Sequence, residues 1–177
     1  MKAITIYQPY ASLIAEGHKV FTTRAYYTQH RGPVAIHAAR LIDPDVFRPL
    51  FCRLSTMMEL DKCGVNAYNV DYLPRSAIIA MGELVDVWEI EKSTTKGEVT
   101  LRKLKNDNHQ YHCQFRPTEI LITLDSKEAA LGDWRTGCYA YELRNVKPLP
   151  DPIPAKGAIN LWNWEPEKEN KENDDNV

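Results

Sequence analysis

Cysteine, glycine and long apolar runs are what this 177-residue chain is short of. Its four cysteines, Cys52, Cys63, Cys113 and Cys138, show no C-x-x-C spacing. That argues against a zinc ribbon or a disulfide framework and for reduced thiols in a cytoplasmic protein. No stretch of about 20 apolar residues is present to cross a membrane. The opening residues are interrupted by Gln8, Pro9 and Tyr10 and do not read as a signal peptide. Eight glycines form no phosphate-cradling loop, and neither G-x-S-x-G nor H-E-x-x-H occurs. His109 and His112 beside Cys113 make half a metal site at most, and without a second cluster a polar hairpin is the better explanation. No metal or other cofactor is expected.

What is present suffices for one ordinary core: 44% of residues are hydrophobic and 26% charged, so no staple is required. The net charge of −2 is unevenly spread. From Glu165 to Val177 six acidic residues face two lysines, a net of −4, which leaves +2 on the preceding residues. This segment has little to bury and is read as a disordered acidic tail, 165–177, behind a single domain, 1–164. Between Glu16 and Arg40, Lys19, Arg24, Arg31 and Arg40 stand against one glutamate. Such a surface suits phosphate-bearing partners, although a solvated face has the same composition.

Alternation predicts a first strand over 3–7, a second from about Val20 and a third over 34–38, after the Arg31-Gly32-Pro33 turn. Pro9 opens a short helix that Gly17 stops. Asp43-Pro44 resembles a helix cap. The spacing of Leu50, Leu54, Met57, Met58 and Leu60 predicts a helix over 50–61 with those residues in the core. Ser76 to Ile90 is the strongest strand signal, with Gly82 marking a bulge. Further strands are expected within 93–124, separated by turns at Lys96-Gly97 and Asn106-Asp107-Asn108. A short helix capped by Ser126 follows, then a strand over 138–149. Trp162 and Trp164 alternate like a closing strand. No internal repeat is present. Many short strands with few short helices imply an α+β fold built on a small, partly closed β-barrel.

The segment Gly17-His18-Lys19-Val20-Phe21-Thr22-Thr23-Arg24 carries the most chemistry. In an extended chain Thr22 and Arg24 point to one side and Phe21 to the other. This leaves the hydroxyl and guanidinium on a face shared with Lys19 at the strand mouth. Such a set can orient an anion or activate a nucleophile. A solvated edge strand would have the same spacing.

Taken in order, Tyr7-Gln8-Pro9-Tyr10-Ala11, Gly17-x-Lys19-x-x-Thr22-x-Arg24, residues 31–38, Gly132-Asp133-Trp134, residues 137–141 and residues 152–157 resemble the ASCH-domain family, a branch of the PUA-like β-barrels. The resemblance runs from about Ile4 to Trp164. It implies a PUA-like mixed β-barrel with short helices at the rim. It also implies an RNA- or modified-nucleoside-binding function, in a cleft lined by the motif. The family motif is G-x-K-x-x-E-x-R, and this chain carries Thr22 where Glu is usual. Much smaller members with Thr at that place deacylate N4-acylated cytidine, using the Lys and Thr of the motif and a carboxylate supplied elsewhere. The alternative function is therefore an amidohydrolase, with Lys19 and Thr22 catalytic and Glu83 the first candidate for the carboxylate. A Thr hydroxyl needs a base, and Lys19 serves as one only if its pKa is lowered. Tyr10 and Trp134 are candidates for stacking a base, and Gln8 for reading a pyrimidine edge or capping the helix behind it. Arg24, Arg31 and Lys156 are candidates for phosphate contacts.

Overall fold

The computed structural model describes residues 1–41, 52–66, 68–93, 98–103 and 120–166. Strand β1 (Lys2–Ile6) leads through helix α1 (Tyr10–Ala15) and the edge strand β2 (Phe21–Arg24) to β3 (Gly32–Ala38), which pairs parallel with β1. Helix α2 (Leu54–Lys62) and a 3₁₀ turn (Val70–Tyr72) precede β4 (Ala77–Ser93). Then come β5 (Val99–Lys103), β6 (Leu121–Thr123), helix α3 (Ser126–Ala130), β7 (Tyr139–Pro154) and β8 (Leu161–Asn163). The strands form one sheet in the order β2-β7-β4-β3-β1-β8, with β5 on the far half of β4 and β6 on β5.

Strands of 16 and 17 residues cannot stay flat, and the β4–β7 pairing shifts register at Ile78/Ala80, Met81/Glu83 and Leu84/Asp86. Gly82 lies inside one shift. A Cβ there would stand 2.9 Å from Val146 Cγ2 and 3.2 Å from the Arg144 carbonyl, so only glycine lets β7 approach this closely. The result is a curled, mixed half-barrel with short helices at its rim, the PUA-like α+β architecture expected. Its interior is filled by Ile4, Ile6, Ile14, Val34, Ile36, Leu84, Val87 and Leu143. A second cluster joins Phe21, Trp88, Ile90, Leu101 and Trp134 beneath β5. Trp164, just beyond the closing strand β8 that carries Trp162, completes a third with Ala3, Ala35 and Ile78. No helix among the described residues is long and apolar enough to cross a membrane.

Several expectations need correcting. The helix over 50–61 begins at Leu54, and it buries Thr56 and Leu60 rather than Leu54, Met57 and Met58, which are exposed. It touches the body along one narrow edge, where Thr56 Oγ1 donates to the Ala130 carbonyl at 2.9 Å. The cap of α3 is Asp125, not Ser126: its carboxylate accepts the Glu128 N–H at 2.7 Å. Strand β7 runs on past Leu149 to Pro154. Asp43-Pro44, Leu50, the turns at 96–97 and 106–108, His109, His112, Cys113 and residues 167–177 lie outside the described residues.

Candidate functional site

The sheet order leaves β2 and β1 on opposite flanks of the curl, and the motif on β2 bridges the gap between them. Gly17, at φ +76°, ends α1 and turns the chain into the motif. On β2, Phe21 packs edge-on against Trp134, with ring centroids 6.3 Å apart, while Thr22 is opposite Tyr141 of the interior. Arg24 Nη1 donates to Thr22 Oγ1 at 3.0 Å and to the Thr23 carbonyl at 2.7 Å. Its Nη2 reaches across to the Thr5 carbonyl of β1 at 2.7 Å. The expected side-sharing of Thr22 and Arg24, with Phe21 opposite, is therefore what the structure has. Among the described residues Arg24's partners are all neutral, and burial pulls its pKa downward.

Lys19 does not join that pair. Its Nζ lies 2.5 Å from Glu128 Oε1 and 4.9 Å above the Trp134 ring, the same ring that Phe21 touches. The reason is the carboxylate. Glu128 also accepts the backbone N–H groups of Val20 (2.9 Å) and Phe21 (3.3 Å), so it fastens the start of the edge strand to α3 and draws Lys19 to that side. Both side chains are buried, and burial lowers the lysine's pKa against the opposing pull of Glu128. Trp134 is held by its Nε1–H on the Ala129 carbonyl at 3.0 Å and folds over Gly132, where a Cβ would sit 2.4 Å from the indole. The Gly132-Asp133-Trp134 motif thus builds the wall beside Lys19.

The remaining candidates are dispersed. Glu83 is bonded to Asn145 Nδ2 at 3.0 Å on the surface, and the carboxylate beside Lys19 is Glu128. Gln8 is fully buried; its amide bonds Ser12 at both ends and donates to the Pro74 carbonyl at 2.7 Å, so it caps α1 and faces no opening. Tyr10 lies 5.9 Å from Lys19 Nζ, and burial raises its phenol pKa. Arg31 is tied to the Thr28 and His30 carbonyls, each at 2.9 Å, and pairs with Asp86 at 3.4 Å. Lys156 is exposed.

A cleft of about 420 Å³ opens beside Arg24, lined also by Thr5, Tyr7, His37, Arg40 and residues 157–160. Among the described residues, two guanidinium groups and no carboxylate line it. Lys156 sits next to Gly157 at its rim. Its back wall is clasped shut: Thr5 Oγ1 donates to the Ala158 carbonyl at 2.8 Å, and Trp162 Nε1 donates to Thr5 Oγ1 at 3.1 Å. His37 Nε2 donates to the Ala155 carbonyl at 3.1 Å, which leaves Nδ1 as a bare, buried acceptor against Gly157. Burial lowers the His37 pKa, so the ring is neutral. Sequence reasoning missed His37, Arg40 and Glu128 as members of the site. Arg40 was visible as part of the basic run, but a lone Glu in a short helix carries no signal that it will meet Lys19 across 109 residues. Among the described residues no group of His, Cys, Asp and Glu is placed to hold a metal ion.

No curated protein matches this sequence. A family model described as the ASCH domain matches residues 4–147, which takes in α1, the motif on β2, Glu128 and the first half of β7, and stops short of the 155–160 segment. With the curled mixed sheet and the bridged motif in place, the chain belongs to the ASCH-domain family.

Proposed function

We propose that this protein binds RNA or a modified nucleoside in the cleft beside Arg24. The family supports RNA binding in general terms, and the observation that carries the finer reading is a lining that, among the described residues, has two guanidinium groups and no carboxylate. Arg24 at the floor uses its remaining N–H groups toward an anion or a base carbonyl, and Arg40 and Lys156 at the rim meet phosphate. Tyr7, half exposed at the wall, offers a ring face to a base. Lys19 serves this site indirectly, by fixing the start of β2 through Glu128. The test is fluorescence anisotropy with tRNA and single-stranded RNA over a salt series. Affinity is expected to fall steeply with salt, and Arg24→Ala and Arg40→Ala to weaken binding and flatten the slope. Undetectable binding at low salt would remove the reading.

A second reading has one observation in its favour: Glu128 supplies beside Lys19 the carboxylate that a Lys–Thr amidohydrolase requires. Against it, Thr22 Oγ1 is bonded to Arg24, a donor that never serves as a base. Incubation of the purified protein with N4-acetylcytidine discriminates. The binding reading expects no cytidine, whereas turnover abolished by both Thr22→Ala and Lys19→Ala would establish the enzyme.

A further inference from the structure

The cleft is of a size that takes one small ligand, so a strand bound in it must continue over the surface outside. The loop that leads into β4 holds an unusual pair of side chains. Tyr68 and Tyr72 are 91% and 87% exposed, and they share one tight turn. The turn is firmly built: Asn66 Oδ1 accepts the N–H groups of Tyr68 (2.9 Å) and Asn69 (3.1 Å). Asn69 Oδ1 accepts the Asn66 N–H at 2.9 Å, and Asn69 Nδ2 donates to the Gly64 carbonyl at 2.7 Å. Val70 is buried beneath. A single exposed tyrosine is ordinary, but two exposed aromatic rings carried by one anchored turn are available to a partner.

Its position is fixed by the sheet. Ala38 pairs with Ala77, so Arg40, two residues beyond β3's last pair, and Arg75, two residues before β4's first, come to the same end of adjacent strands. Arg40 lines the cleft, and Gln8, next to the cleft residue Tyr7, is bonded to Pro74 of the same loop. Arg75 is exposed and donates to the Asp71 carbonyl at 3.1 Å; between Tyr68 and Arg75 the sequence carries one acidic residue, Asp71. Aromatic rings interleaved with cations along a path leading out of a cationic cleft match the chemistry of a single-stranded nucleic acid, whose bases stack while its phosphates pair.

We propose that Tyr68 and Tyr72 form a stacking platform for single-stranded RNA, taking the bases that flank the nucleotide in the cleft. This rests on the binding reading above and adds a surface to it. Anisotropy of a labelled single strand of about 10 nucleotides with the full chain, over a salt series, tests it. Tyr68→Ala and Tyr72→Ala are each expected to weaken binding by about five- to a hundred-fold with no change in the salt slope, since neither meets a phosphate. Tyr→Phe at either position should restore affinity. Melting temperatures should stay at the wild-type value because both rings are exposed. If both alanine variants bind like wild type while Arg24→Ala weakens binding, the platform fails and the cleft stands. If wild type binds no RNA at low salt, the cleft reading fails and the platform with it. A self-association that these alanine variants dissolve, with RNA affinity untouched, would assign the surface to a protein contact and overturn the proposal.

Discussion

Removing the Glu128 carboxylate should be among the most damaging single changes available to this fold. The carboxylate holds three donors at once: Lys19 Nζ at 2.5 Å and the Val20 and Phe21 N–H groups. Replacement by alanine strands a buried ammonium, and breaking a buried pair from one side costs about 3–5 kcal/mol. The two orphaned N–H groups of an edge strand add to this, though not additively. Against a typical total stability of about 5–15 kcal/mol, Glu128→Ala should therefore leave the protein marginal at pH 7. Glu128→Gln keeps an acceptor for the backbone and should cost less. The pH dependence carries the sign of the argument. Burial already lowers the Lys19 pKa, and Glu128 is the chief opposing influence, so its loss lowers that pKa further. Between the depressed folded value and the ordinary 10.5 the unfolded chain binds more protons, so stability rises with pH in that window. Urea unfolding of wild type and Glu128→Ala at pH 7 and pH 9.5 should show the variant regaining part of its deficit at the higher pH. A loss below about 1 kcal/mol at pH 7, the scale of an exposed pair, would refute the claim that this is a buried, structure-bearing pair.

Other outcomes follow from the same geometry. Gly157→Ala would push a Cβ to 2.3 Å from His37 Cε1, and that ring is pinned by Ala155 and by Trp162, 5.7 Å away edge-on, so the cleft wall must shift. A loss of about 1–3 kcal/mol in thermal unfolding, together with weaker RNA binding, is expected. His37, neutral when folded, makes the protein less stable as pH falls below 6.5 toward its depressed folded value; His37→Gln should flatten that part of the acid unfolding profile. Thr22→Glu should lower RNA affinity and its salt dependence in the anisotropy assay, without the collapse in stability that Glu128→Ala brings.

How much of this was legible in the sequence depended on how local each feature is. The β4 strand and its Gly82 bulge could be read because alternation and a single glycine are local signals, and both were where they were expected. The same holds for Thr22 and Arg24, whose shared side follows from a two-residue period alone. Lys19 failed that extrapolation. It precedes the strand, and its direction is set by a carboxylate more than a hundred residues away. Met57 and Met58 were misjudged for a related reason: helical spacing reports that an apolar stripe exists, not that a neighbour arrives to cover it. The cleft is still less local, since Arg24, His37 and Gly157 come from three separate segments and are brought together only by the strand order.

On the proposed binding reading, Thr22, which stands where the resemblance implies a Glu, acquires a physical meaning from the separation of Lys19 and Arg24. Position 22 lies within reach of the Arg24 guanidinium, as the 3.0 Å bond between them shows. A carboxylate there would pair with Arg24 inside a half-buried site and cancel its charge. A hydroxyl accepts the same hydrogen bond and cancels nothing. Among the described residues Arg24 then bonds only neutral oxygens, those of Thr22, Thr23 and Thr5, and no carboxylate there balances its charge. Lys19, by contrast, is already neutralised by Glu128 and contributes no net charge. On the proposed binding reading, the attraction of the cleft for anions would come from Arg24 at its floor, reinforced by Arg40 at the rim, and its strength would be set by the side chain at position 22. On that same proposed reading the Thr is a change of ligand charge preference rather than the arrival of a nucleophile, because Arg24, the cation bonded to its oxygen, is a donor that cannot accept the hydroxyl's proton.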